Sequence, residues 1–142
     1  MYKTLSVLLA TSLAATVSAQ PAPDVNPGKW ETTSTVTMES AQFSLPPQTN
    51  TSTDCITAED IAKGHTFLKD AEECEILSED LRSDGMDYSM RCTTPDGGVM
   101  TMDGDLNFAG DEMSGVISGQ AESPMGQVNM RIELKGHRVG DC

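Results

Sequence analysis

Basic side chains are scarce in this sequence. Nine lysines and arginines stand against 22 aspartates and glutamates, which gives a formal charge of −13 at neutral pH. A surface of this sign repels phosphate backbones and anionic lipid headgroups. The composition therefore argues against nucleic acid and anionic membrane surfaces as partners.

Groups that could start a reaction at neutral pH are also few. Histidine, the usual base at this pH, occurs only at His65 and His137. No serine stands in a G-x-S-x-G turn, which would expose it as a nucleophile. We predict no catalytic residue, no cofactor and no enzyme activity. An enzyme would have to use His65 or His137 as its base.

The sequence has no apolar run of the length that a membrane helix needs. The run from Leu5 to Val17 falls short of the roughly 20 residues of a membrane span. It follows Lys3 and ends at the small residues Val17-Ser18-Ala19, the pattern of a secretory signal peptide. We expect residues 1–19 to be cleaved, with no membrane insertion. The product is predicted to be periplasmic or secreted, and the loss of Lys3 lowers its charge to −14.

Cysteine occurs four times, and an even number in an exported chain indicates disulfides. The spacing of the four matches no zinc module. A turn at residues 83–85 brings Cys74 and Cys92 to nearly opposite positions, within a register step that a β-bulge could absorb. We therefore favour Cys74–Cys92, which leaves Cys55–Cys142 by elimination. The competing pattern joins Cys55 to Cys74 and Cys92 to Cys142.

Strand-length runs separated by Gly, Asp, Pro or Ser dominate the rest of the chain. Their regular spacing predicts an all-β fold, an antiparallel up-and-down meander of about seven strands in a curled sheet or open barrel. Glycines inside three of these strands, at Gly104, Gly115 and Gly119, are expected to permit sharp coiling or bulges. The predicted strands are Trp30–Glu39, Gln48–Cys55, Cys74–Leu81, Met86–Thr93, Gly98–Asn107, Glu112–Gln120 and Gly126–His137.

Proline and capping residues mark the boundaries of the elements. Residues 20–27 are predicted to be an extended lead-in, followed by a single β domain over residues 28–142. Pro46-Pro47 predicts a break at residues 44–47, because proline donates no ladder hydrogen bond. One short helix is predicted near residues 58–63, with Thr57 as its N-cap and Gly64 at its end. Phe67 and Leu68 are expected to fill one end of the core.

Alternation of side chains identifies the inward face of each strand. Trp30 is expected to anchor the first strand, and Met86, Tyr88, Met90 and Cys92 share one face of a later strand. The remaining candidate core positions are Met100, Met102, Leu106, Met113, Ile117, Val128, Met130, Ile132 and Leu134.

Methionine, with nine residues, is the candidate for metal chemistry. Thioether sulfur suits copper(I), and Met86, Met90, Met100 and Met102 could converge on one face. Methionine also fills irregular cores, and these residues stand where Leu or Ile would otherwise be. We predict a core role and keep a soft-metal site as the alternative.

The acidic segment 103–114 matches a calcium-binding loop at its positions 1, 3, 5 and 9. Phe108 replaces the glycine that the loop needs for its sharp turn, and Ser114 replaces the bidentate glutamate. We therefore predict a solvated acidic turn here rather than a calcium site.

Four features together resemble an exported bacterial family of unknown function, DUF3617. They are the segment Pro27–Glu31, the segment Cys55–Asp60, the pair Cys74 and Cys92, and the terminal segment Gly136–Cys142. The resemblance covers the chain beyond the predicted signal peptide. It implies a periplasmic or secreted bacterial protein, and it implies no activity because none is established for the family.

These observations predict a monomeric, non-catalytic binding or interaction module of the bacterial envelope. An interior lined by Met, Val, Ile and Leu could hold a small apolar ligand, and the other partner to consider is an envelope protein. The alternatives are a structural protein acting only by its surface, a copper-binding protein that uses its methionines, and an enzyme that uses His65 or His137.

Overall fold

The computed structural model describes residues 21–63, 74–94, 97–123 and 126–142. One short helix accompanies seven strands, which confirms the predicted all-β fold. The elements are β1 (Gly28–Ser40), β2 (Ser44–Ile56), α1 (Ala58–Lys63), β3 (Cys74–Leu81), β4 (Gly85–Thr93), β5 (Val99–Ala109), β6 (Glu112–Ser123) and β7 (Gly126–Gly140).

The strands form a single antiparallel sheet in the order β2-β1-β7-β6-β5-β4-β3. Strands β3 to β7 follow one another as a meander, and β7 then pairs with β1, so the predicted up-and-down arrangement is confirmed. The two edges are β2 and β3, and the sheet is not closed between them. Along the chain, α1 follows the edge strand β2 and precedes the edge strand β3.

The core lies on one face of this sheet, which we call the inner face. Trp30, on β1, is only 1% exposed and belongs to the same buried cluster as Tyr88 on β4 and Leu106 and Phe108 on β5. Two strands separate β1 from β5 in the sheet. Because their side chains nevertheless share one cluster, the sheet must curl around its inner face.

The lead-in before β1 is held against one end of this core. Val25 is buried and forms an isolated parallel bridge with Gly110. The backbone N–H of Asn26 donates to the Gly110 carbonyl at 2.9 Å, and the Trp30 indole N–H donates to the Asn26 carbonyl at 3.0 Å. The lead-in thus contributes a core residue, which its proline-rich sequence does not indicate.

The predicted break at residues 44–47 is wrong, because β2 begins at Ser44 and runs through Pro46 and Pro47. The ladder tolerates these prolines because β2 is an edge strand that pairs only with β1. The register shifts at this point, so that both prolines lie opposite Thr37 in a bulge. Whether the prolines interrupt the strand therefore depends on the position of the strand in the sheet, and not on the local sequence.

The helix α1 occupies the predicted residues and begins with a reciprocal cap. Thr57 Oγ1 accepts a hydrogen bond from the Asp60 N–H at 3.1 Å, and Asp60 Oδ2 accepts one from the Thr57 N–H at 3.1 Å. Ile61 packs against the core. The predictions for Gly64, Phe67 and Leu68 lie outside the described residues.

Both predicted disulfides are present and join the favoured pairs. Cys74 and Cys92 link the neighbouring strands β3 and β4, with Cα atoms 4.0 Å apart. Cys55, on the edge strand β2, is joined to Cys142, which follows β7, with Cα atoms 5.8 Å apart. Since β1 lies between β2 and β7, this second bridge ties the edge of the sheet to its centre.

Candidate functional site

Glycines on the inner face let neighbouring side chains lie across the sheet. A methyl group at Gly104 would overlap the Tyr88 ring, and one at Gly115 would overlap Leu106. At Gly136 the same methyl group would come within 2.8 Å of Met113 Cε. The pairing of β4 through β7 continues without a shift at Gly104, Gly115 and Gly119, so none of these glycines forms a bulge, which was one of the two roles expected for them. They provide room for the side chains of adjacent strands.

An apolar cavity of about 470 Å³ lies above these side chains on the inner face. This volume is within the range of about 300 to 1,000 Å³ that is usual for ligand pockets. Six of the seven strands supply its apolar lining, which includes Trp30, Ile56, Tyr88, Leu106, Phe108, Met113, Ile117 and Leu134.

Polar groups line the cavity on the side of the edge strand β2. Asp54 stands opposite Trp30, and Ser52 stands opposite Thr32, in the hairpin of β1 and β2. Ser52 Oγ donates a hydrogen bond to Asp54 Oδ2 at 3.2 Å, and both residues are exposed. Asp54 is the one charged side chain among the described residues that line the cavity. We call the apolar lining residues the floor of the cavity, and we call Ser52 and Asp54 its polar lip.

Trp30 and Tyr88, the two aromatic lining residues that have polar atoms, add no charge to the floor of the cavity. The Trp30 indole N–H is used by the Asn26 carbonyl, so the ring presents only apolar surface to its other neighbours. Burial raises the pKa of the Tyr88 phenol above its ordinary value of 10.0. Tyr88 is therefore neutral at physiological pH.

Neither histidine is placed at this cavity by the described structure. Leu134 and Gly136 are inner-face positions of β7. Because successive residues of a strand point to opposite faces, His137 lies on the outer face. Its side chain is 57% exposed, and its Nε2 lies 3.8 Å from Glu31 Oε1. His65 lies outside the described residues.

The four candidate methionine ligands do not all meet. Met90 and Met102 stand directly opposite each other on β4 and β5, whereas Met100 stands opposite Cys92. Met86 is fully buried, and it lies four residues from Met90 along the same strand, about 13 Å away. Met86 therefore lies apart from the alternative set of soft-metal ligands and has the core role that we predicted. The methionine found among the described residues lining the cavity is Met113.

The polar lip was not predicted from the sequence. Strand β2 is polar at almost every position, so alternation gives no signal that Ser52 and Asp54 face inward. The pairing of β1 with β2 places Ser52 opposite Thr32 and Asp54 opposite Trp30. This pairing cannot be obtained by counting residues from the turn, because the bulge at Pro46 and Pro47 shifts the register in between.

Within the described ranges, no helix combines the length and the apolar character that crossing a membrane requires.

Fold and site together define an open, curled, all-β domain with an apolar cavity on its inner face. The chain belongs to the protein family of unknown function DUF3617, whose family model matches residues 25–142. The match begins at Val25, the lead-in residue that is buried in the core. No curated protein and no solved structure gives a significant match to the chain.

Proposed function

We propose that this protein is an exported, non-catalytic binding module of the bacterial envelope that holds a small apolar ligand on the inner face of its sheet. The observation that carries the proposal is the cavity of about 470 Å³, lined by side chains of β1, β2, β4, β5, β6 and β7.

The charges around the cavity favour a ligand without negative charge. The floor offers no charged group, and the lip carries the Asp54 carboxylate. The chain as a whole carries a formal charge of −13, which disfavours the approach of anions. The ligand that fits is a mainly apolar molecule whose polar end is neutral or cationic and lies near Ser52 and Asp54.

Export is supported by two independent features. Residues 1–19 have the pattern of a cleavable signal peptide. The disulfides Cys55–Cys142 and Cys74–Cys92 are typical of proteins that work in an oxidising compartment such as the periplasm.

A pair of isoleucines provides the test of ligand binding. Ile117 and Ile132 stand directly opposite each other on β6 and β7, and Ile117 lines the cavity whereas Ile132 is not among its lining residues. Ile117→Phe should fill part of the cavity, and Ile132→Phe is the matched control. The probe is N-phenyl-1-naphthylamine, an uncharged fluorophore whose emission rises in apolar surroundings. We expect the unmodified protein and the control to bind it, and Ile117→Phe to bind it at least about tenfold more weakly.

Native mass spectrometry of protein purified from its native host complements this titration. A retained small molecule that is lost in Ile117→Phe supports the proposal. A bare mass together with no binding of the fluorophore, or equal binding by the two variants, would contradict it. The first of these outcomes would favour a structural protein that acts only by its surface.

A further inference from the structure

A row of methionines crosses the inner face away from the cavity. Met38 on β1 stands opposite Met130 on β7, and Met130 stands opposite Gly119 on β6. Gly119 in turn stands opposite Met102 on β5, which stands opposite Met90 on β4. We call Met38, Met130, Met102 and Met90 the methionine row.

The glycine in the middle brings the two halves of the row together. A Cβ atom at Gly119 would lie 3.2 Å from Met130 Cε and 3.7 Å from Met102 Cγ. The side chains of Met130 and Met102 therefore approach Gly119 from opposite sides, over the position where another residue would have its Cβ atom. Each has a direct neighbour in the row, Met38 beside Met130 and Met90 beside Met102, which places one further thioether on the adjacent strand at each side.

Packing of the core does not account for the whole row. Met90 is buried in the core cluster, and Met102 packs against that cluster. Met38 and Met130 are only half-buried, and they are not among the residues that make up the described core or pack against it. Two of the four sulfur atoms thus belong to a partly open surface, where methionine offers no packing advantage over leucine.

The surroundings of the row supply one hydroxyl and otherwise no ligand for hard cations. The adjacent inner-face positions are Val36, Ile132 and Ile117 on one side and Ser40, Val128, Ala121 and Met100 on the other. The Ser40 hydroxyl oxygen already accepts hydrogen bonds from the N–H groups of Gln42 and Phe43. In the described part of the chain, no three His, Cys, Asp or Glu side chains are grouped to hold a metal ion. Both disulfides are formed, so thioether sulfur is the soft donor that this face offers.

We propose that the methionine row is a binding site for Cu(I), with Met102 and Met130, which meet over Gly119, as ligands and one of their neighbours, Met90 or Met38, as the third donor. Uncharged thioethers select a soft monovalent cation over Ca²⁺, Mg²⁺ or Zn²⁺. The site is independent of the apolar ligand, because the four methionines are absent from the described lining of the cavity.

The test uses the intact oxidised protein under anaerobic conditions. Cu(I) is titrated against the chelator bicinchoninate, and we expect one bound equivalent. The double variant Met102→Leu/Met130→Leu conserves volume and should keep the fold. Loss of an outer-shell partner alone typically weakens metal binding by about 10-fold to 100-fold, so loss of two ligands should weaken it by more than about 100-fold. Met113→Leu is the matched control, because Met113 leans over Gly136 as Met130 leans over Gly119.

A second measurement identifies the ligands directly. In protein labelled with ¹³C at the methionine methyl groups, Ag(I), a soft cation without redox chemistry, should shift the resonances of Met102, Met130 and one of their neighbours, Met38 or Met90. The resonances of Met86 and Met113 should not move, and Zn²⁺ should shift none of the six. The proposal is overturned if Cu(I) binds no more tightly than micromolar, if Met113→Leu weakens binding as much as the double variant, or if Ag(I) shifts other methionines instead.

Discussion

Cys74 and Cys92 lie directly opposite each other on β3 and β4 because the register shifts between Ile76 and Ser78. Leu77 is the extra residue of this bulge. In a regular ladder continued from the pair Ser78 and Ser89, Cys74 would face Thr93 instead. Since a shift of one residue also exchanges the faces of a strand, the bulge turns Cys74 towards the inner face.

The two disulfides should differ in their contribution to stability. Cys74 and Cys92 are 18 residues apart in the sequence, whereas Cys55 and Cys142 are 87 residues apart. The loop-entropy model gives about 3 kcal/mol for the shorter loop and about 4.5 kcal/mol for the longer one. We expect Cys55→Ala/Cys142→Ala to lower the free energy of unfolding more than Cys74→Ala/Cys92→Ala does. Urea unfolding of both double variants measures this, and the reverse order would contradict it.

Proteolysis without reduction checks the pairing itself. Trypsin can cut at Arg82, between Cys74 and Cys92, and the two resulting peptides should remain joined until a reductant is added. A peptide containing Cys55 that is linked to one containing Cys74 would show that the competing pairing is correct.

Gly104 should tolerate a methyl group poorly, because its Cβ would overlap the Tyr88 ring. We expect Gly104→Ala to lower the free energy of unfolding by about 1 to 3 kcal/mol. Gly119→Ala is the matched control, since its Cβ would meet the flexible end of Met130 at 3.2 Å, and it should cost less than about 1 kcal/mol. Combining Gly104→Ala with Tyr88→Leu should remove most of the penalty, and equal costs in both backgrounds would contradict the contact.

Trp30 should be the most costly core side chain to truncate. It is 1% exposed, and its indole N–H is paired with the Asn26 carbonyl. We expect Trp30→Ala to lower the free energy of unfolding by about 3 to 5 kcal/mol, measured by urea unfolding and circular dichroism. Val139→Ala, at a position 48% exposed on the same sheet, should change it by less than about 0.5 kcal/mol. Native fluorescence typical of a solvent-exposed indole would contradict the burial of Trp30.

Local signals in the sequence predicted much of the fold. The hairpin at residues 83–85 and the alternation of Met86, Tyr88 and Met90 each depend on a few neighbouring residues, and the structure has both the turn and the buried face. The bounds of β3 match the prediction at both ends. The pair Cys74–Cys92 was predicted from this turn with a one-residue bulge, and Cys55–Cys142 followed by elimination.

Long-range pairing could not be predicted in the same way. Met38 and Met130 are brought together by the ladder between β1 and β7, whose partners lie about as far apart in the sequence as this chain allows. No local pattern specifies that register, so Met38 and Met130 were both absent from the methionines that the sequence suggested as candidate metal ligands. The same reason applies to Val25, a single apolar residue among prolines, whose burial depends on a bridge to Gly110.

Tyr88 gives the domain a predictable response to alkaline pH. Burial raises the pKa of its phenol above 10.0, so the folded state favours the neutral form more strongly than the unfolded state does. The stability linked to this difference is fully present below pH 10 and is lost as the pH rises through the pKa of the folded state. Tyr2 and Tyr88 are the two tyrosines of the sequence. In protein prepared from residue 20 onward, the absorbance of tyrosine therefore comes from Tyr88 alone.

The ultraviolet absorbance of the phenolate should therefore rise with a midpoint above pH 10, and unfolding reported by Trp30 fluorescence should accompany it. Tyr88→Phe keeps the ring over Gly104 and removes the ionisable group, so it should remain folded to higher pH. An apolar ligand in the cavity should move the midpoint of the unmodified protein further upward, because Tyr88 lines that cavity and would lose more of its water. A midpoint at pH 10 in a protein that stays folded, unchanged by the ligand, would contradict both the burial of Tyr88 and its place in the site.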